Sequence, residues 1–158
     1  MTTQKIFSTS MVVLAVSSAV LLTTPAAQAA AACDITVDAT DAMTFSTKSI
    51  DVSKTCKEFT INLKHVGKLP KSVMGHNLVI SKESDKAGVL EDGSKAGLPN
   101  EYVKAKDARV IAYTKIIGGG ETASTKFAVS KLNAKDAFTF YCSFPGHAMM
   151  MKGIVKLV

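Results

Sequence analysis

A cysteine, a histidine and three methionines lie close together near the carboxyl terminus of this 158-residue chain. Cys142 is followed by His147 after four residues, and residues 149–151 are three consecutive methionines. Thiolate, imidazole and thioether groups favour soft metals such as copper over magnesium or calcium. The segment is therefore a candidate metal-binding loop, but its ligand set needs further donors from elsewhere in the chain.

A thiolate site with a weak axial thioether needs two imidazoles, and the chain holds two histidines besides His147. His76 directly precedes the apolar run of residues 78–80, where the start of a strand can present it to a neighbouring loop. His65 instead falls on the apolar face of residues 58–65, in which apolar and polar side chains alternate. We therefore predict that His76 is a ligand and that His65 is a core histidine near the site, held by hydrogen bonds.

The residues around these donors resemble the azurins, a family of the blue copper proteins (cupredoxins). Three motifs carry the resemblance: Cys142-x4-His147-x3-Met151, VMGHN at residues 73–77 and SFPGH at residues 143–147. The similarity extends over residues 33–158. The chain departs from the family in having no tryptophan, with Leu78 where azurins often carry one in the core, and in its run of three methionines. Neither departure replaces a metal ligand of the pattern.

The resemblance implies one type 1 copper ion per chain, which would shuttle single electrons by cycling between Cu(II) and Cu(I). It also implies hydrogen bonds to the Cys142 sulfur from Asn77 and from the Phe144 amide, which adjust the reduction potential. The implied ligands are, in chain order, the Gly75 carbonyl (weak), His76, Cys142, His147 and Met151 (weak, axial).

In the family's arrangement an apolar patch surrounds the outer edge of the histidine in the ligand loop. The alternative interpretation is that these side chains simply cap one end of the β-sandwich that the resemblance implies. If the patch binds partners, we expect brief contacts that bury less than about 1,200 Å², with redox proteins such as c-type cytochromes or periplasmic reductases and dehydrogenases. The corresponding residues are Met43, Leu69, Met74, Phe144, Pro145 and Ala148.

The amino terminus has the pattern of a secretory signal peptide. Lys5 precedes an apolar run over residues 11–22, and small residues that suit a cleavage site follow, ending near Ala30. A transmembrane anchor is the alternative, but the run is shorter than the roughly 20 apolar residues that a spanning helix needs. We therefore predict a leader over residues 1–30, a single plastocyanin-like blue copper domain over residues 31–158, and a periplasmic location without a membrane span.

Removal of the predicted leader takes away Lys5 and lowers the formal net charge from +6 to +5. The remaining lysines are scattered among acidic residues, and no motif that combines basic and aromatic side chains accompanies them. This pattern is typical of a solvated surface and gives no support to nucleic-acid binding. We expect the mature domain to be a monomer.

The three cysteines have two different predicted fates. In an oxidising compartment Cys33 and Cys56 can pair, and their bridge would contribute roughly 3 kcal/mol through the entropy of the unfolded chain. Pairings that involve Cys142 stay open from the cysteine count alone, although the neighbouring histidine and methionine favour metal ligation. The resemblance to azurins implies the Cys33–Cys56 bridge.

Short alternating segments after residue 33 predict an all-β fold. Residues 136–142 alternate so that Cys142 points inward at the end of a strand, whereas residues 84–107 break the pattern and predict an insertion with about two helical turns. Residues 118–120 are three glycines that lack the lysine and helix start of a phosphate loop, so we predict a hairpin turn. The whole pattern predicts a Greek-key β-sandwich of the cupredoxin type with a short helical insertion.

Two alternatives to electron transfer deserve a test. A hydrolase that uses Cys142 and His147 is disfavoured, because a thioether contributes nothing to acyl transfer and no oxyanion-hole motif is visible. We therefore expect that the protein is not an enzyme. A copper delivery or storage protein of the periplasm stays open, because Met149 and Met150 are additional copper-binding side chains.

Overall fold

The computed structural model describes residues 1–2 and 32–158. The predicted signal peptide, apart from its first two residues, lies outside the described residues. Residues 32–158 form two packed β-sheets of four and five strands, with helices confined to the connections. The prediction of a Greek-key β-sandwich with a short helical insertion is confirmed.

The strands are β1 (Asp34–Thr40), β2 (Thr44–Phe45), β3 (Ser49–Val52), β4 (Glu58–His65), β5 (Val79–Lys82), β6 (Val110–Tyr113), β7 (Thr122–Ala128), β8 (Phe138–Tyr141) and β9 (Lys152–Leu157). The α-helices are α1 (Lys71–Met74) and α2 (Lys86–Ala96), and 3-10 turns occur at Leu98–Asn100, Val129–Lys131 and His147–Met149. The sheet orders are β2-β1-β4-β7 and β3-β9-β8-β5-β6. Strand β1 is parallel to β4 and β3 is parallel to β9, whereas the other pairs are antiparallel.

Strand β4 shows how the sequence pattern produces the core. Phe59, Ile61 and Leu63 are buried on one face, and the residues between them face outward. His65 continues the buried face and is fully enclosed. A strand that covers a core on one side only requires this period of two.

Strand β8 leads to the candidate metal loop and is buried on both faces. It pairs with β5 on one side and β9 on the other. Phe140 belongs to the sandwich core, whereas Tyr141 packs in a separate cluster with Val89 of helix α2. The strand that positions Cys142 is therefore held by backbone pairing on both edges and by packing on both faces.

Helix α2 covers the outer face of the five-stranded sheet. It is longer than the two predicted turns and contains Gly93, although glycine is unfavourable inside a helix. A Cβ atom at Gly93 would lie 2.1 Å from the Tyr102 carbonyl oxygen, so glycine allows the helix and the following loop to approach. Tertiary packing thus stabilises a helix of low intrinsic propensity.

The prediction of a hairpin at residues 118–120 is wrong. Gly118 and Glu121 do form a turn, with a hydrogen bond of 3.0 Å between backbone nitrogen and oxygen. Strand β6 before the turn belongs to the five-stranded sheet, however, and strand β7 after it belongs to the four-stranded sheet. The connection crosses between the sheets, which a period-two pattern cannot show because it records no strand partners.

The bridge between Cys33 and Cys56 is formed, with a Cα–Cα distance of 5.7 Å and a sequence separation of 23 residues. Cys142 is a free, buried cysteine. The bridge ties the start of strand β1 to the turn before β4, and these strands pair in parallel. Parallel strands cannot be joined by a tight hairpin, so the covalent link stabilises a pairing of high loop-closure cost.

We predict that Cys33→Ser lowers the free energy of unfolding by about 3 kcal/mol, because the unfolded chain regains the entropy of a closed loop. Urea denaturation of the copper-loaded protein measures this loss. Cys56→Ser and the double variant serve as controls and should lose the same amount, since one covalent bond is removed in each case. Markedly unequal losses would show that the cysteines act through packing.

Candidate metal centre

Three buried side chains converge at one end of the sandwich. One donor atom from each of His76, Cys142 and His147 lies within 4.8 Å of the other two. The Cys142 Sγ atom is 3.9 Å from His76 Nδ1 and 3.7 Å from His147 Nδ1. Metal–nitrogen and metal–sulfur bonds of about 2.0 and 2.3 Å, the values for zinc, can span such separations. The donors therefore fit one metal ion.

Backbone hydrogen bonds hold the loop that carries Cys142 and His147. The Cys142 amide donates to the Met151 carbonyl at 3.0 Å, and the Met151 amide donates to the His147 carbonyl at 2.9 Å. The His147 amide donates to the Phe144 carbonyl at 3.0 Å. Because the loop closes on itself, both donors are held in place without help from a metal.

His76 comes from the segment between helix α1 and strand β5. Its amide and carbonyl form a pair of hydrogen bonds with Ile117, at 3.0 and 2.9 Å. Its ring nitrogen Nε2 donates to the Thr40 carbonyl at 3.0 Å. A carbonyl can only accept, so Nε2 carries the proton and the lone pair of Nδ1 faces Cys142. No sequence pattern indicates this role of Thr40, which lies at the end of the distant strand β1.

Burial governs the protonation of all three donors. Desolvation lowers the pKa of His76 to about 4, with the charges of His65 and His147 adding to the shift. Burial also lowers the pKa of His147. It raises the pKa of the Cys142 thiol to about 12, against hydrogen bonds from the backbone amides of Asn77 and Phe144. At neutral pH both imidazoles are free to bind a cation, and only the thiol must lose a proton.

The three consecutive methionines occupy different environments. Met151 is fully buried, whereas Met149 and Met150 are 77% and 55% exposed. The Gly75 carbonyl oxygen lies 4.0 Å from Cys142 Sγ. A Cβ atom at Gly75 would lie 2.7 Å from the Ile116 side chain, so a larger residue would displace this carbonyl. Of the predicted weak ligands, Met151 is inside the protein and Gly75 is beside the thiol.

Asn77 joins the two segments that carry the donors. Its side-chain oxygen accepts the Ser143 amide at 2.8 Å, and its side-chain nitrogen donates to Ser143 Oγ at 2.8 Å. The same nitrogen donates to the Glu101 carbonyl at 2.8 Å. The Glu101 carboxylate accepts the Ile116 amide at 2.6 Å. No sequence motif indicates this role of Glu101, because it lies in the insertion at residues 84–107, which carries no chemical signal.

His65 lies beside the metal donors but is not one of them. It is fully buried, and its ring centre is 4.5 Å from that of His76. Its Nε2 atom is 2.9 Å from the Asp41 carboxylate, whose other oxygen accepts the Lys68 amide at 2.8 Å. Its Nδ1 atom has no hydrogen-bond partner within residues 32–158. The expectation that hydrogen bonds satisfy this histidine is therefore met at one nitrogen only.

The members of the predicted apolar patch differ in exposure, and His147 itself is 4% exposed. Leu69 and Pro145 are exposed, and the remaining members are partly buried. The Phe144 ring centre is 4.7 Å from that of His147. Val73, which the predicted patch does not include, is 59% exposed. Phe144 of the predicted patch thus packs against the buried imidazole ring.

The β-sandwich and its buried Cys-His-His donor set define the class of blue-copper electron-transfer proteins. Over residues 31–158 the chain matches the copper binding proteins of the plastocyanin/azurin family. It is 62% identical to an azurin of Alcaligenes faecalis over 126 residues, which cover 80% of this chain and 98% of the relative. An azurin of Bordetella pertussis is 57% identical over 82% of this chain and 86% of its own.

A comparison with solved structures agrees with the sequence relatives. The solved structure of the azurin Az-iso2 from the obligate methylotroph Methylomonas sp. strain J superposes with a TM-score of 0.78 and 50% sequence identity. The match covers 81% of this chain and 99% of the other. The chain belongs to the plastocyanin/azurin family of copper binding proteins, and copper is the metal that its donor set fits.

We predict that Asn77→Ala lowers the free energy of unfolding by about 2 to 4 kcal/mol, because the Ser143 amide and Glu101 carbonyl lose buried partners. Chemical denaturation of the metal-free and copper-loaded forms measures the effect. Asn62→Ala is the matched control, since its hydrogen bond with Ser124 lies at the surface, and it should change stability by less than about 0.5 kcal/mol. Equal effects of the two substitutions would contradict a linking role for Asn77.

Proposed function

We propose that this protein carries single electrons between redox proteins of the periplasm through one type 1 copper ion. The observation that carries the proposal is the enclosed convergence of His76, Cys142 and His147, with donor atoms within 4.8 Å of one another. Copper supplies the redox chemistry when bound, by alternating between Cu(II) and Cu(I). The residues of the chain hold the donors, exclude water and connect the site to the surface.

Rigid donors favour fast transfer because little has to move when the charge changes by one unit. His76 is held at its backbone by Ile117 and at its ring by Thr40. The loop of Cys142 and His147 closes on itself and is joined to the other segment through Asn77. These contacts act without the ion, so the protein imposes one arrangement on both oxidation states.

We assign Met151 as the thioether that would hold the ion weakly and the Gly75 carbonyl as a second residue that would do so. Met151 is the fully buried member of the methionine run, and its backbone accepts a hydrogen bond from Cys142. Met149 and Met150 are exposed. The Gly75 oxygen lies beside the thiol. A thioether contributes little binding free energy in such a site but adjusts its potential.

Electrons leave and enter through His147, whose ring packs against Phe144 of the apolar patch. Partner proteins bind to this patch briefly, as electron-transfer encounters bury less than about 1,200 Å². Redox proteins such as c-type cytochromes and periplasmic reductases or dehydrogenases are the expected partners. The observation that supports this route is the contact between the Phe144 ring and His147, which is 4% exposed.

A periplasmic location agrees with two observations. The Cys33–Cys56 bridge is formed, and structural disulfides persist in oxidising compartments. The leader pattern of residues 1–30 supports export. Among the described residues the helices are all too short or too polar to cross a membrane.

Copper delivery or storage is the second candidate, favoured by the exposed thioethers of Met149 and Met150. Delivery needs ligands that exchange readily, whereas the three strong donors are enclosed and held by two segments. Loss of copper to a Cu(I) chelator distinguishes the candidates: a carrier of electrons should keep its copper for hours, and a delivery protein should release it within minutes.

Addition of Cu(II) to the reduced domain without its leader should produce an intense blue absorption band from charge transfer between thiolate and copper. Reductant should bleach the band and an oxidant should restore it, because the same ion cycles in place. Cys142→Ser should stay folded and colourless, since the thiolate is lost. A colourless wild-type protein that binds Cu(II) would overturn the proposed function.

Met151→Leu should leave the protein blue and raise its reduction potential, because removal of an electron-donating ligand disfavours Cu(II). Met149→Leu and Met150→Leu are matched controls, since they make the same chemical change at exposed positions. Voltammetry on the three variants compares the shifts. A larger shift at Met149 or Met150 than at Met151 would refute the assignment of Met151 as the weak thioether ligand.

A further inference from the structure

Met149 and Met150 are two thioethers that the copper site does not use. They are 77% and 55% exposed, next to the fully buried Met151. Because both side chains are exposed, packing in a hydrophobic core does not explain why methionine occupies these positions. Their position in the ligand loop therefore needs another account than packing.

Both side chains belong to the surface that surrounds His147. Met149 ends the 3-10 turn that begins at His147, and the Met150 amide donates to the His147 carbonyl at 3.1 Å. The Met150 carbonyl accepts a hydrogen bond from Lys48 Nζ at 3.0 Å, which holds the turn. Met149 also lines an open, mostly apolar groove of about 310 Å³ together with Phe144.

We propose that Met149 and Met150 are oxidation sites for peroxides, and that their sulfoxides weaken the docking of redox partners at the apolar patch. The second part rests on the proposed function, whereas the first part depends only on exposure. The pair would make electron transfer sensitive to oxidants without a change at the copper ligands.

The chemistry is complete with peroxide as the oxidant. A sulfur lone pair attacks one peroxide oxygen, the O–O bond breaks, and an S=O bond forms. The sulfur loses two electrons, the peroxide is reduced, and the second oxygen leaves as water after proton transfer. The thioether becomes a polar, chiral sulfoxide, which methionine sulfoxide reductases can convert back.

Burial makes the oxidation selective within the run. Met151 has no exposed surface, so a peroxide can reach its sulfur only when the loop opens. Met43 and Met74 lie in the patch and are partly buried. Met149 and Met150 need no opening at all. The expected order of oxidation is Met149 and Met150 first, then Met43 and Met74, and Met151 last.

The sulfoxide acts on docking because the patch is small and apolar. A partner that covers Met149 or Met150 must remove water from the new S=O group, and an unpaired polar group in a dry interface opposes binding. Small redox reagents do not need the patch. Oxidation should therefore slow exchange with proteins more than exchange with small complexes.

The first experiment treats the Cu(II) protein with hydrogen peroxide and follows each methionine by peptide mass spectrometry. Sulfoxide should form at Met149 and Met150 at least about tenfold faster than at Met151, since a tenfold difference needs only about 1.4 kcal/mol of opening free energy. Equal rates of oxidation at the exposed and buried positions would refute Met149 and Met150 as the oxidation sites. The result does not depend on whether the protein transfers electrons.

The second experiment measures electron exchange between oxidised and reduced copies of this chain by NMR line broadening, before and after peroxide treatment. Exchange should fall about tenfold, which corresponds to about 1.4 kcal/mol of docking free energy, while the rate with a small inorganic complex changes little. Sulfoxide reductase should restore the first rate.

The Met149→Leu/Met150→Leu variant is the control, because peroxide treatment that stops before Met43 and Met74 react should no longer alter its exchange rate. An unchanged rate in the wild-type protein with both sulfoxides present would overturn the effect on docking. If peroxide still lowered the exchange rate of the double variant, the effect would belong to another residue. Failure of the proposed function itself would appear separately, as absence of the blue band in untreated protein.

Discussion

The hydrogen bonds of the Asn77 side chain connect the two parts of the metal site. Asn77 follows His76 in one segment, and Ser143 follows Cys142 in the other. The side-chain amide of Asn77 forms hydrogen bonds with the backbone nitrogen and the hydroxyl of Ser143. It also donates a hydrogen bond to the Glu101 carbonyl. Because these contacts are buried, breaking them leaves polar groups without water or protein partners. The distance between the donors is therefore set by the fold before any metal binds.

Burial has opposite consequences for the donors. It keeps the imidazoles neutral, with the pKa of His76 lowered to about 4, and it keeps the Cys142 thiol protonated, with its pKa raised to about 12. A positive ion between them reverses the balance at the sulfur, since a neighbouring cation stabilises the thiolate. Protons thus compete with the metal mainly at Cys142. Without the ion the three donors are uncharged. Cys142 becomes a thiolate only when a cation lies beside it.

The loop after strand β8 combines a rigid interior with a reactive exterior. Cys142 and Met151 are enclosed and bonded to each other through the backbone, whereas Met149 and Met150 face solvent. His147 lies between these environments: its Nδ1 atom is 3.7 Å from Cys142 Sγ, and the 3-10 turn that it begins ends at the exposed Met149. A short turn can serve both purposes because consecutive side chains leave it in different directions. Electron transfer and exposure to oxidants meet within the same few residues.

By itself the sequence determined the β-sandwich, the donor types and their approximate places, because alternation and motif spacing are local properties of the chain. It missed most of strand β7, whose polar side chains lie on a sheet edge, and it mistook residues 118–120 for a hairpin. Only the tertiary structure decided which donors meet, which methionine is buried, and that Thr40 and Glu101 hold the site. These contacts join residues far apart in the chain, and a local pattern carries no record of such partners.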